Sequence, residues 1–122
     1  MAFEAFTTFT QLTAVGTSWT TLGSFTATPR ELIGVFIGAD NESGTVTDAL
    51  EVRVLVARDD TPTNYTTEPI YARSYKPSAV TAEWFSFELL GYKHYRIQVK
   101  SAGSTDSYTV DGAHRGDGVD AT

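Results

Sequence analysis

A chain of 122 residues carrying 15 acidic and 9 basic side chains, with a formal charge of -6, is long enough for one hydrophobic core and too short for two. Its acidic balance excludes a protein that grips nucleic-acid phosphates, which takes a clustered excess of Lys and Arg. The absence of cysteine excludes disulfides, thiolate metal sites and cysteine nucleophiles together.

The chain opens without a basic stretch leading into an apolar run, so neither a signal peptide nor a membrane span is expected, and synthesis in a cytoplasm is. Apolar residues then recur every third position, at Phe3, Phe6, Phe9 and Leu12, and again at Trp19, Leu22 and Phe25. Two readings fit that spacing. One is a pair of bulged strands that bury both faces. The other is an extended arm over residues 1–14 that lies across a neighbouring subunit and buries its phenylalanines there.

Thr28-Pro29-Arg30-Glu31 has the order of a helix start, but strand residues follow at once, so it makes one turn at most. Glu31 to Ala39 reads as a mostly buried strand, with Ile33, Val35 and Ile37 opposed by Leu32, Phe36 and two glycines. Asp40 to Gly44 is a loop. Asp48 to Arg58 is the clearest strand, because Leu50, Val52, Val54 and Val56 share one face while Glu51 and Arg53 take the other. A second loop runs from Asp59 to Thr67, and Ile70 to Tyr75 is a short strand.

Phe85, Phe87 and Leu89 form one face of a strand over Trp84 to Leu90, and Leu90-Gly91 predicts a hairpin into the next strand, Tyr92 to Lys100. There Tyr95, Ile97 and Val99 alternate with His94, Arg96, Gln98 and Lys100, the pattern of a sheet with one wet face. Thr105 to Val110 is the last strand predicted, and the glycine-rich residues 111–122 read as a mobile tail. About eight short strands without sustained helical periodicity point to an all-β antiparallel sandwich, jelly-roll-like or immunoglobulin-like, in a single domain, with a small closed barrel as the alternative.

Chemistry finds no handle in this sequence. His94 and His114 lie twenty residues apart without a companion in metal spacing, and no nucleophile elbow, phosphate loop or dinucleotide fingerprint occurs. No enzymatic activity, metal or cofactor is expected. Asp59, Asp60 and Glu83 read as solvated acids rather than a sugar-hydrolysing pair, and Asp40, Asn41, Glu42 and Asp48 miss the spacing of a calcium loop. Tyr65, Tyr71, Tyr75, Trp84 and Tyr108 are candidates for a flat carbohydrate-binding platform, although tyrosine on a strand is more often a half-buried sheet residue.

The run Trp19 to Phe25, the segment Pro29-Arg30-Glu31-Leu32-Ile33-Gly34-Val35, the Asp48 to Arg58 strand with Asp59-Asp60 behind it, and Gly103-Ser104-Thr105-Asp106 together resemble small β-sandwich virion proteins of tailed bacteriophages. Capsid decoration, or cement, proteins are the nearest type, and the resemblance spans residues 19–115. It implies an oligomer on the outer capsid surface, with the major capsid protein as partner, made in the bacterial host cytoplasm and reinforcing junctions between capsomers. It implies no catalytic residues and no contact with nucleic acid or membrane. The alternative is a tail, neck or fibre-associated virion module that binds host-surface carbohydrate. In either case the two ends of the chain are the candidate partner-binding segments, through Phe3, Phe6, Phe9, Leu12, His114 and Arg115.

Overall fold

The computed structural model describes residues 5–28, 30–42, 45–57, 64–77 and 83–116. They form nine strands and no helix: β1 (Thr7–Thr8), β2 (Leu12–Val15), β3 (Thr20–Thr26), β4 (Ile33–Asn41), β5 (Leu50–Val56), β6 (Tyr71–Tyr75), β7 (Glu83–Leu89), β8 (His94–Ser101) and β9 (Tyr108–Gly116). Alternation in the sequence places the strands. Leu50, Val52 and Val54 of β5, and Tyr95, Ile97 and Val99 of β8, are fully buried, while Glu51, Arg53, Arg96, Gln98 and Lys100 between them stay partly in solvent.

The pairing is nested. β5 pairs with β6, β4 with β7, β3 with β8 and β2 with β9, every pair antiparallel. This is one long ribbon folded in half. Wrapping it on itself brings β4 against β9 and β5 against β8, which gives a sheet β2-β9-β4-β7, with β1 also on β9, and a sheet β3-β8-β5-β6. A five-stranded and a four-stranded layer from a rolled ribbon, four strands of each supplied by the nested pairs, are the jelly roll. Immunoglobulin-type sandwiches group their strands differently, so the jelly-roll alternative is the one realised.

Wrapping also overturns the predicted hairpin at Leu90-Gly91. β7 belongs to one sheet and β8 to the other, so the turn carries the chain across the sandwich instead of reversing it within a sheet. Gly91 takes the left-handed conformation that glycine tolerates best, at φ 102°. Just after it the Tyr92 amide donates to the Tyr95 hydroxyl at 3.1 Å. Phe85, Phe87 and Leu89 of β7 would alternate in the same way in either topology, because β7 and β8 face one core.

The threefold spacing near the N-terminus has a local cause. Phe9 donates its amide to the Gly112 carbonyl, Leu12 faces Val110, and Val15 faces Tyr108. Three-residue steps on the first strand thus match two-residue steps on β9, with one extra residue looped out at each step. Ala14, at φ 54°, is one of these. β3 has a similar shift between Thr21 and Gly23 that turns Leu22 into the core. Residues 5–14 therefore lie along the chain's own β9.

β9 is longer than predicted. Residues 111–116, read from sequence as the start of a mobile tail, form its second half, held between β4 and β1. Glycine is needed there: a Cβ on Gly112 would come within 2.9 Å of both Leu22 and Phe9. The loop predicted from Asp40 likewise begins later, since Asp40 and Asn41 complete β4. The predicted turn at the head of β4 is present as a single hydrogen bond, Glu31 amide to Thr28 carbonyl.

Candidate functional site

The two outer faces of the sandwich differ in chemistry. On β3-β8-β5-β6 the exposed side is polar: Lys100 pairs with Glu51 at 3.4 Å, Arg53 donates to Gln98 at 2.8 Å, and Gln98 donates to Thr21 at 3.3 Å. Trp19 on this side is covered by the Arg53 guanidinium at 4.3 Å and by the Lys100 ammonium at 5.1 Å. This is a solvated face.

On β2-β9-β4-β7 the outward residues fall into three cross-strand rows: Trp84, Gly38 and Asp111; Ser86, Phe36 and Ala113; Glu88, Gly34 and Arg115. The Trp84 indole lies flat over Gly38, where any Cβ would sit 2.6 Å from the ring. Phe6 meets Phe36 edge-to-face at 5.0 Å, and the Arg115 guanidinium stacks on Phe6 at 4.3 Å. Trp84 is 58% exposed, Leu90 55% and Phe6 49%. A depression of about 290 Å³ opens beside them, floored by Gly34 and walled by Leu32, Phe36, Ser86, Glu88 and Arg115. Exposed aromatics next to a guanidinium and small residues are the composition of a protein-binding patch rather than of a solvated sheet.

The sequence-predicted partner-binding residues divide between this face and the core. Phe6 and Arg115 meet on the patch. Phe9 turns inward against Phe25 at 6.1 Å and His114 at 5.2 Å, and His114 stacks on Phe25 at 4.1 Å, which itself stacks on Tyr95. Leu12 packs on the core from β2. Phe3 lies outside the described residues. Of the central members of the patch, Phe36 was not among the residues predicted to bind a partner, and Trp84 was a candidate only for the carbohydrate platform. The signal for Phe36 was its place between Gly34 and Gly38, which makes it the one ring that β4 places on that face, half-buried beside Phe6.

Of the residues considered as calcium ligands, Asn41 and Asp48 are engaged with Asp106, a residue outside that set, in holding two loops together. Asp106, 2% exposed, accepts from the Asn41 amide at 2.8 Å and from the backbone amides of Thr47 and Asp48 at 2.6 and 2.7 Å. Asp48 returns the contact, accepting from the amides of Thr105 and Asp106 at 3.0 Å each, while its carbonyl accepts from the Tyr108 hydroxyl. Each aspartate thus holds the other's loop. Among the described residues no group of three or more acids and histidines is placed to hold a metal. Asp59 and Asp60 lie outside the described residues, and Glu83 accepts from the Tyr75 hydroxyl at 2.6 Å.

Glu42 ties the β2 edge to β9, accepting from the Thr109 hydroxyl, the Ala14 amide at 2.9 Å and the Ser107 hydroxyl. The Thr109 hydroxyl, then the Ala14 amide, lower its pKa below the usual 4.5. A carboxylate with a depressed folded pKa adds stability above its unfolded value and loses it as pH falls through the folded one. Glu42→Gln is therefore expected to flatten the acid side of a melting-temperature profile below that ordinary value. A variant whose acid profile follows the wild type would contradict this role.

The tyrosines do not form a platform. Tyr108 is fully buried, Tyr71 and Tyr75 stack on Phe87 and Phe85 at the side of the sandwich, Tyr65 lies under Arg96 at 4.1 Å, and Trp84 stands on the opposite sheet. His94 is buried, with Nδ1 3.2 Å from the Thr26 hydroxyl.

No protein-family model matches the sequence, and no curated protein matches it. Solved structures do share the fold. A chain of the T13 IBDV viral particle superposes with a TM-score of 0.57 at 13% identity, over 92% of this chain and 30% of that one. A chain from the structure of infectious bursal disease virus strain Gx gives 0.53 at 12% identity, over 93% and 32%. The K3 cleaved adhesin domain of Lys-gingipain from Porphyromonas gingivalis W83 gives 0.50 at 9% identity, over 75% and 57%. This chain spans about a third of the length of the two viral chains. What is shared at these identities is the all-β sandwich, a fold that virus-particle chains and an adhesin domain both use.

Proposed function

We propose that the chain is a structural virion protein, a decoration or cement protein that binds the outer surface of a bacteriophage capsid and stabilises it. The observation that carries this reading is the asymmetry of the sandwich: one outer face is charged, and the other presents Phe6, Phe36 and Trp84 beside Arg115. The fold likeness to two virus-particle chains supports it, as does the resemblance of the sequence to phage decoration proteins. The partner is the major capsid protein and the role is non-catalytic. A net charge of -6 suits an outer-shell position, since it keeps the protein from competing for packaged DNA.

The test is co-sedimentation of purified chain with particles that lack it. Saturation near one copy per major capsid subunit is the result expected of decoration. A handful of copies per particle would move the chain to the tail or neck, and no binding would remove the reading. The adhesin-domain likeness supports a second reading, a fibre-associated module that binds host-surface carbohydrate. It stands behind the first because the tyrosines are dispersed, and binding on a glycan array would reverse that order.

A further inference from the structure

Edge strands expose unpaired backbone groups, and proteins blunt them with bulges, prolines or inward-pointing charges. Three of the four sheet edges here are blunted. The β1/β2 edge carries register shifts and the left-handed Ala14, and β3 is bulged between Thr21 and Gly23. β6 is short, lies between Pro69 and Pro77, and directs Arg73 inward over Phe85 at 4.7 Å. β7 carries such a device only at its first residue, where Glu83 faces inward and accepts from the Tyr75 hydroxyl at 2.6 Å; the residues after it have none. Its seven residues, Glu83–Leu89, pair with β4 without a shift and contain no proline, glycine, lysine or arginine. Among the described residues no strand pairs with its outer side.

The direction of the β7 backbone groups follows from the ladder. The Gly112 carbonyl is turned to Phe9, away from β4, so Gly112 and Ile37 form a non-hydrogen-bonded pair. Ile37 then directs its amide and carbonyl to Phe85 on β7. Alternation along the strand leaves the amides and carbonyls of Trp84, Ser86 and Glu88 facing the open edge.

We infer that β7 is a self-pairing edge that joins two copies of this chain antiparallel across a twofold axis at Ser86. In that register Ser86 faces Ser86, Trp84 faces Glu88 and Phe85 faces Phe87 of the second copy. Each of the three residues with free groups meets its counterpart in a hydrogen-bonded pair, which exchanges both bonds, so every open amide and carbonyl is satisfied. No like charges meet, because Glu88 lies opposite Trp84 and Glu83 opposite Leu89. The two β2-β9-β4-β7 sheets become one continuous sheet, and the apolar patches of both copies lie on its same side. The pairing does not depend on the capsid reading.

Sedimentation of the wild-type chain in solution is expected to give a dimer, and a monomer at all concentrations would overturn the proposal. The Ser86 amide points out of the sheet, so Ser86→Pro removes no hydrogen bond within the chain. This variant is expected to keep the wild-type melting temperature and become monomeric, and a persistent dimer would overturn the register. Ser86→Cys gives an answer even if the proline variant fails to fold. A hydrogen-bonded pair sets the two Cα atoms about 5.5 Å apart, within disulfide reach. Mild oxidation is then expected to cross-link Ser86→Cys dimers and leave Ser74→Cys, on the β6 edge, uncrosslinked. No cross-link at position 86, or an equal one at 74, would contradict the axis.

Discussion

An Asp106→Ala protein is expected to melt about 10–20 °C below the wild type, equivalent to roughly 3–5 kcal/mol. The size of the effect comes from the groups the carboxylate holds. It is buried and accepts from Asn41, Thr47 and Asp48, and hydrogen bonds to a charged group are each worth about 1.5–3 kcal/mol. Alanine leaves those donors facing a space that water enters only in part. The reciprocal contacts of Asp48 with Thr105 and Asp106 then loosen together, because the two loops position one another. Asp106→Asn keeps one acceptor oxygen and is expected to cost about 1–2 kcal/mol. Thermal melts of both variants measure the effect. An alanine variant within about 2 °C of the wild type would show that the two loops do not depend on the aspartate pair.

The second large effect is on binding rather than stability. Trp84→Ala and Phe6→Ala remove side chains that are about half exposed, so each is expected to change stability by less than about 1 kcal/mol. Each is expected to weaken particle binding at least ~30-fold, since a central aromatic anchor carries about 2 kcal/mol or more. Arg53→Ala on the charged face, which breaks the bond to Gln98 and uncovers Trp19, is expected to leave binding within about threefold. Co-sedimentation isotherms of the three variants separate the faces. Loss of binding in Arg53→Ala with retention in Trp84→Ala would assign the contact to the opposite sheet.

Alternation made the layers legible. Leu50, Val52 and Val54, like Tyr95, Ile97 and Val99, are buried as their period of two requires. Pairing was not legible, because a strand reports which of its faces is apolar and not which neighbour it meets. Leu90-Gly91 therefore looked like a hairpin although it bridges two sheets. The glycines at 112 and 116 suggested a tail for a related reason: composition cannot distinguish a free segment from a strand packed, as at Gly112, so closely that only glycine fits. The threefold phenylalanine spacing was a true signal. Its meaning, three residues on a bulged strand for every two on β9, emerges only with the partner strand in place.

The candidate site was legible in part for the same reason. Phe6 and Arg115 reach the patch, while Phe9, Leu12 and His114, chosen by the same spacing or the same tail, point into the core. Phe36 and Trp84 lay inside segments that read as ordinary buried strands. Trp84 stands exposed and Phe36 half-buried on a face where β4 has only glycine at 34 and 38, a property of two adjacent strands and not of either one.

Cryo-electron microscopy of particles decorated with the purified chain tests the central claim most directly. The expected density is a jelly roll on the outer shell, with the Phe6, Phe36 and Trp84 face against the capsid subunits and the Lys100 and Glu51 face toward solvent. Density at the tail or neck alone, or a shell-bound jelly roll with its charged face inward, would contradict the account.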